Sequence, residues 1–329
     1  MAAKTYRAAL VGLGNIAWRF DRQVNCGYSL THASAYEHNP RTVLAGGCSP
    51  DREDRAAFEK TFGIEAADTL ESVLETVEPE IVSICSPSAL HFEQVASCLD
   101  RQVPMIWLEK PPASSVQEID RLIEKMTERG GASTVLVNYH RRYDPNFRKM
   151  EELYREETLG ACRLIQITYS RGLELNGSHI LDMLFSIVGE SAGYEIQWVS
   201  SAGGAENPSF GLALESGIQV VVSGVTLPYH CVDISLTCEG GRVSILHGGM
   251  TPLVEERVEH ELFPGFYRLK KSEQDCFIAS CQANGMEGVL DDLIRSHERG
   301  VPPASSLQSA RKTQELIDSI RTQQGRQVS

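Results

Sequence analysis

Residues 7–17 read Arg7-Ala8-Ala9-Leu10-Val11-Gly12-Leu13-Gly14-Asn15-Ile16-Ala17, and this stretch decides the fold class. A brief apolar run ends at two glycines one residue apart, with a small side chain three residues further on. The run reads as a buried strand, and the glycines after it read as a tight turn into a helix. This is the pattern of a dinucleotide site. Gly12 permits the turn, Gly14 lets the backbone approach a pyrophosphate, and Ala17 lets helix and strand pack closely. The first helical residues, Asn15 and Ile16, bring N–H donors to the anion. Such glycine spacings also arise by chance, so the strand in front of them carries the weight.

Working outward, the first 140 residues alternate short apolar runs with amphipathic stretches. Strands are predicted at 7–11, 42–48, 80–85, 105–108 and 134–138. Asp68-Thr69-Leu70-Glu71 has capping-box spacing and opens a helix over 70–77. Ser115 and Glu118 open another, closed by Gly130 and Gly131. This alternation implies a doubly wound parallel sheet with helices on both faces. From about 162 to 246 the apolar runs lengthen and are separated by hairpin-like turns. Strands at 164–169, 196–199, 212–214, 218–225, 232–236 and 243–246 predict an open, mainly antiparallel sheet. Helices are predicted at 286–299 and 305–323. The fold expected is α/β: a Rossmann domain over 1–144, divided at Asp144-Pro145 from a substrate-binding and oligomerisation α/β domain over 145–329. The last helix is free to pack back on the first domain.

Composition bounds the partners. The chain has 329 residues, enough for two domains, with 42% hydrophobic and 23% charged residues. No run approaches the roughly 20 apolar residues of a membrane span, and no signal peptide is apparent, so a cytoplasmic location is expected. A net charge of −13 argues against nucleic acid or an anionic membrane as partner. The nine cysteines form no Cys-x-x-Cys pair, which points to no metal site and a reducing compartment.

The end of the second strand bears on the cofactor. An acid is expected there to hold the adenosine ribose, but Cys48 is followed by Ser49-Pro50-Asp51-Arg52. Ser49 with Arg52 suits a 2′-phosphate and leans slightly to NADP; Asp51, two positions late, suits NAD. Residues 18–30 form an insertion before helical sequence resumes at Thr31. It reads as a solvated loop or as a lid near the mouth of the site.

Four further motifs occur in order: Ile84-Cys85-Ser86-Pro87 with His91, Glu109-Lys110-Pro111, the run Asn138 to Pro145, and Gly177-Ser178-His179 with Asp182. Together they resemble the glucose–fructose oxidoreductase / myo-inositol dehydrogenase family (Gfo/Idh/MocA). The resemblance is strong over the first 190 residues and continues to the final helix. It implies an enzyme that moves a hydride between NAD(P) and a secondary hydroxyl or carbonyl of a sugar, sugar nucleotide or cyclitol. It implies Lys110 as the catalytic lysine, His179 as the acid/base with Asp182 one turn on, and Ser86, Pro87, His91, Glu109 and Asn138 at the cofactor. Many members carry an aspartate four residues before the histidine; Leu175 stands there. The chemistry is coherent in itself, since alcohol oxidation releases a proton for a histidine and develops oxygen charge beside an ammonium.

Tyr139, His140, Arg141, Tyr169, Arg171 and Asn176, with His179, fall in segments that meet the substrate in that family. Arginines suit phosphate or carboxylate, and aromatic faces suit a sugar or base. The family also implies a homodimer or homotetramer. Two other readings remain open: an enzyme whose tightly held cofactor is recycled in place, and a nicotinamide-binding regulator without catalysis.

Overall fold

A computed structural model of the chain describes residues 4–22, 24, 27–273, 277 and 285–328. They divide into two compact units, one drawn from Met1–Tyr143 and Asn284–Arg311, the other from Asp144–Ala283 and Lys312–Ser329. Among the described residues no helix is long and apolar enough to cross a membrane.

The first unit is built on β1 (Tyr6–Val11), β2 (Thr42–Cys48), β3 (Ala66–Ala67), β4 (Ile81–Ile84), β5 (Met105–Leu108) and β6 (Thr134–Val137). All pairings are parallel, in the order β3-β2-β1-β4-β5-β6. The strands are buried on both faces, which is why they read as unbroken apolar runs. Strand order reverses between β1 and β4. A crevice therefore opens at the C-terminal ends of β1, β2 and β4, the place where such sheets bind ligands.

Helices α1 (His32–His38), α2 (Arg52–Phe62), α3 (Leu70–Thr76), α4 (His91–Asp100) and α5 (Val116–Glu128) cover the sheet. Ser115 caps α5 by accepting from the Glu118 N–H, as its sequence implies. In α3 the cap is Thr69, which accepts from the Ser72 N–H, so the expected box is displaced by one residue.

The helix expected directly after the glycine turn does not run on. Asn15–Arg19 form one π-helical turn and Phe20–Arg22 a 3₁₀ turn; α1 starts only at His32. The insertion explains the delay, because its residues are stitched into the unit. Trp18 is buried and donates Nε1–H to the Leu13 carbonyl at 3.0 Å. Asp21 accepts from the Leu30 N–H at 2.9 Å and from the Thr31 hydroxyl. Arg19 pairs with Asp54, and Arg22 with Glu37 at 3.0 Å. Residues 23, 25 and 26 of the insertion lie outside the described residues.

The second unit starts with α6 (Pro145–Arg155), capped by Asp144, and contains α7 (Ser178–Val188). Its sheet comprises β7 (Cys162–Tyr169), β8 (Tyr194–Ser200), β9 (Ser209–Leu214), β10 (Gln219–Gly224), β11 (Val232–Cys238), β12 (Gly241–Leu246), β13 (Thr251–Glu259) and β14 (Tyr267–Lys271). The order is β14-β13-β12-β11-β7-β10-β9-β8, with β7–β10 the one parallel pair among the described strands of this second sheet. Apolar side chains of α6 and α7 pack with alternate residues of β7, β10 and β11 to form the core. β13 and β14 escape sequence reading because their residues are only half-buried or exposed and their few apolar side chains do not alternate with the polar ones. Finally, α8 (Gly285–Arg299) packs in the first unit through Met286, Val289, Leu290, Leu293 and Ile294, and α9 (Leu307–Val328) ends the described chain.

Candidate functional site

Gly12 holds φ at +85°, and a Cβ there would lie 2.8 Å from Ser86 Cα and N. The turns after β1 and β4 thus touch through backbone alone, which no other residue permits. Gly14 has an ordinary φ of −86° and nothing within 4 Å of a notional Cβ. The space it leaves belongs to a cavity of about 770 Å³ lined by Gly12, Leu13, Gly14, Ser49, Asp51, Ser86 and Pro87, among others. That volume is in the range of small-molecule and cofactor sites, and a bare glycine turn at its floor is the cradle a dinucleotide needs. The residues present therefore fit such a group.

The far rim of this cavity is acidic. Asp51, Asp54, Asp68 and Glu71 all line it. Asp51 also caps α2, its Oδ1 accepting from the N–H groups of Glu53 at 2.7 Å and Asp54 at 3.2 Å. Ser49 is buried, its hydroxyl 3.4 Å from Asp54. Arg55 donates to the carbonyls of Ser49 and Pro50, and Arg52 is exposed on α2 outside the lining.

At the end of β5, Glu109 N–H donates to the Ile84 carbonyl and Asn138 N–H to the Leu108 carbonyl, so both residues prolong the sheet. Their side chains turn into the interior. Glu109 Oε1 accepts from His32 Nε2 at 3.1 Å and Asn138 Nδ2 at 2.5 Å; Oε2 accepts from the Lys110 peptide N–H at 3.3 Å. Asn138 Oδ1 accepts from Trp107 Nε1–H at 3.1 Å. Glu109 and Asn138, expected at the cofactor, thus commit their polar atoms to each other and to the core.

Burial pushes the Glu109 carboxyl up, but the hydrogen bonds from His32 and Asn138 and the nearby Lys110 outweigh it and hold it below its ordinary value. Lys110 shows the converse. Burial pulls its ammonium down, Glu109 opposes that, and Arg141 adds to it. His140 is pulled down to about 4 by burial and then by Arg141, so its ring is neutral near pH 7.

His91 braces the neighbouring turns. Its ring nitrogens lie 2.7 Å from the Pro111 carbonyl and 2.9 Å from that of Ser86, tying the segment after β4 to the one after β5. Tyr139 is a core residue, and Arg142 donates to the Ala304 carbonyl at 2.8 Å. His32, Ser83, Tyr36 and Trp107 belong to this constellation, and sequence reasoning misses them. A buried histidine on an apolar helix face is their only sequence trace.

In the second unit the turn after β7 is unusual. Arg171 holds φ at +67°, rare for a residue with a side chain, and is exposed. Asn176 donates to the Ser170 carbonyl at 2.7 Å and lies 3.2 Å from His230 Nδ1. Leu175 is 52% exposed where the family aspartate was expected. Ser178 opens α7, His179 is buried in its first turn, and Asp182 is fully buried one turn on. Tyr169, expected at the substrate, is wholly buried and donates its hydroxyl to the Pro208 carbonyl at 2.7 Å, because its position on β7 faces the core.

Comparison with known proteins agrees with this architecture. Residues 6–139 match the Gfo/Idh/MocA family, described as an oxidoreductase family with an NAD-binding Rossmann fold. D-glucoside 3-dehydrogenase of Escherichia coli K12 is 24% identical over 178 residues, 54% of this chain and 46% of that protein. Myo-inositol 2-dehydrogenase of Thermotoga maritima is 29% identical over 120 residues, 36% of this chain and 35% of that protein. The chain thus spans less than half the length of these curated relatives. The fold extends further. KijD10, a 3-ketoreductase from Actinomadura kijaniata solved with NADP and TDP-benzene, superposes with a TM-score of 0.74 at 15% identity, covering 97% of this chain and 98% of that one. A dehydrogenase from Chromobacterium violaceum gives 0.75 at 16% identity, covering 99% and 98%.

Proposed function

We propose, from the match of residues 6–139 to the Gfo/Idh/MocA oxidoreductase family, that this chain is a member of it and oxidises or reduces a secondary hydroxyl or carbonyl of a sugar, sugar nucleotide or cyclitol. The observation that carries this reading is the glycine cradle lining the cavity at the ends of β1 and β4, with Lys110 half-buried at the C-terminal end of β5 next to Glu109, whose carboxyl is held below its ordinary value.

A bound nicotinamide dinucleotide would supply hydride donation and acceptance. The chain's own residues do the rest. The turns at Gly12–Gly14 and Ser86–Pro87 would receive the pyrophosphate and ribose. The Lys110 ammonium stabilises negative charge on the substrate oxygen, within a site drier than bulk water. His179 is proposed as the acid/base of the reaction, on the strength of its motif and of an imidazole's fitness for that task near neutral pH. His140 is excluded as a proton donor at pH 7 because it is already neutral there. Arg171 and Asn176 are proposed to contact the substrate.

The rim modifies the cofactor reading. A 2′-phosphate placed among Asp51, Asp54, Asp68 and Glu71 would meet like charge, and Arg55 is already committed to backbone carbonyls. This favours NAD over the NADP suggested by Ser49 and Arg52. The test is a panel of sugars, sugar nucleotides and inositols followed at the reduced-nicotinamide absorbance band with each cofactor. Turnover that disappears in Lys110→Ala supports the reading; no turnover with any of the three substrate classes overturns it.

A further inference from the structure

Beneath Lys110 runs a chain of hydrogen bonds that sequence motifs do not mark. A carboxylate only accepts, so His32 Nε2 donates to Glu109. His32 Nδ1 lies 2.8 Å from the Ser83 hydroxyl oxygen, which is 2.5 Å from the Tyr36 hydroxyl. Tyr36, Ser83, His32 and Glu109 thus form one continuous chain of hydrogen bonds ending at the carboxylate. His32 is fully buried and packs against Trp107 with ring centroids 3.9 Å apart and ring planes tilted by 46°. Trp107 in turn fixes Asn138, the second donor to the same carboxylate oxygen. Two arms of one network therefore converge on Glu109 Oε1.

We propose that His32 is a positioning residue of the site: it keeps Glu109 an anion beneath Lys110, and so keeps the Lys110 ammonium charged for its work on the substrate oxygen, a last step that rests on the proposed reaction. A buried carboxylate deprived of one donor takes up a proton more readily, and a neutral Glu109 no longer supports a cation next to it. Among the described residues, titratable and charged groups around this pair come from three segments of the first unit. His32 and Tyr36 come from α1, Cys85 from the end of β4, and His140 and Arg141 from the turn after β6. Of these, Arg141 works against the Lys110 charge and Glu109 for it, so losing Glu109's charge leaves the unfavourable neighbour uncompensated.

The experiment needs neither cofactor nor substrate. Lys110 in the cofactor-free full-length protein is acetylated competitively with acetic anhydride over a range of pH, and its titration is read by peptide mass spectrometry. His32→Phe is expected to move the Lys110 titration down by about one unit, which is about tenfold faster labelling at a fixed pH below the midpoint. Glu109→Gln should move it the same way at least as far. His32→Gln, whose amide can donate where Nε2 did, should restore it. A His32→Phe protein with the wild-type Lys110 titration overturns the proposal, as does an unshifted Glu109→Gln. Should His32→Phe fail to fold, Ser83→Ala decides: a smaller downward shift supports the coupling and none refutes it. Loss of the labelling effect condemns this inference alone, whereas failure of the substrate panel with the labelling effect intact condemns the proposed reaction alone.

Discussion

Alanine at Gly12 and alanine at Gly14 should fail in different ways, although the two glycines stand one residue apart in the same turn. At Gly12 the added methyl must adopt φ near +85°, which costs an L-residue roughly 1–2 kcal/mol, and it lands 2.8 Å from Ser86 Cα and N and 2.9 Å from the Cys85 carbonyl carbon. These are backbone atoms that no rotamer change can move. Relieving the overlap means parting the β1 and β4 turns, a further roughly 1–3 kcal/mol by analogy with overpacked cores. The sum, about 2–5 kcal/mol, corresponds to a fall in unfolding midpoint of roughly 5–15 °C. At Gly14 the backbone is ordinary and the space is open, so stability should hold or rise by about half a kcal/mol through the stiffer unfolded chain. Its methyl, however, occupies the floor of the dinucleotide cavity and should weaken cofactor binding by about tenfold or more. Thermal unfolding by circular dichroism and titration with reduced nicotinamide dinucleotide, read by fluorescence, separate the two. A Gly12→Ala protein that melts with the wild type refutes the account of the turn. A Gly14→Ala protein that binds normally means the dinucleotide lies elsewhere.

The same geometry sets other outcomes. Lys110→Ala and His179→Ala should each lower kcat by about a hundredfold or more while leaving cofactor affinity within a few fold, so an altered cofactor Kd with normal kcat would remove them from the chemistry. Dissociation constants should favour NAD over NADP, and Asp54→Asn should narrow the gap; an NADP preference in the wild type contradicts the acidic-rim argument. His140 binds its proton near pH 4 in the fold and near 6.5 when unfolded, so the unfolded chain holds more protons between those values. Stability should therefore be full above about pH 6.5 and decline as pH falls towards 4, by up to about 3 kcal/mol, and His140→Gln should flatten that slope in chemical denaturation. Tyr169→Phe should cost about 1 kcal/mol of stability with KM unchanged, whereas Arg171→Ala should raise KM more than it lowers kcat; a raised KM in Tyr169→Phe would return it to the substrate site.

By itself, the amino-acid sequence determined what repeats along the chain or depends on one residue's intrinsic properties. Buried parallel strands announce themselves as short apolar runs, and Gly12 is required by a backbone angle that only glycine adopts freely. The ordered motifs located Lys110 at a strand end, and Leu175 revealed a missing acid. Tertiary structure alone decided what depends on distant residues meeting. The motifs of Glu109 and Asn138 place them near the cofactor, and only strand pairing shows that their side chains also meet His32 and Trp107. Trp18 reads as part of a loop or lid, but the helix it would have extended is interrupted and its indole is anchored to Leu13. The acidic rim joins residues from the ends of β2, β3 and α3 that no spacing connects. β13 and β14 are invisible in sequence because their few apolar residues show no regular period, and only the neighbour each pairs with makes it a strand. Local sequence encodes propensity and burial period. Direction, register and electrostatic company are fixed only when the sheet closes.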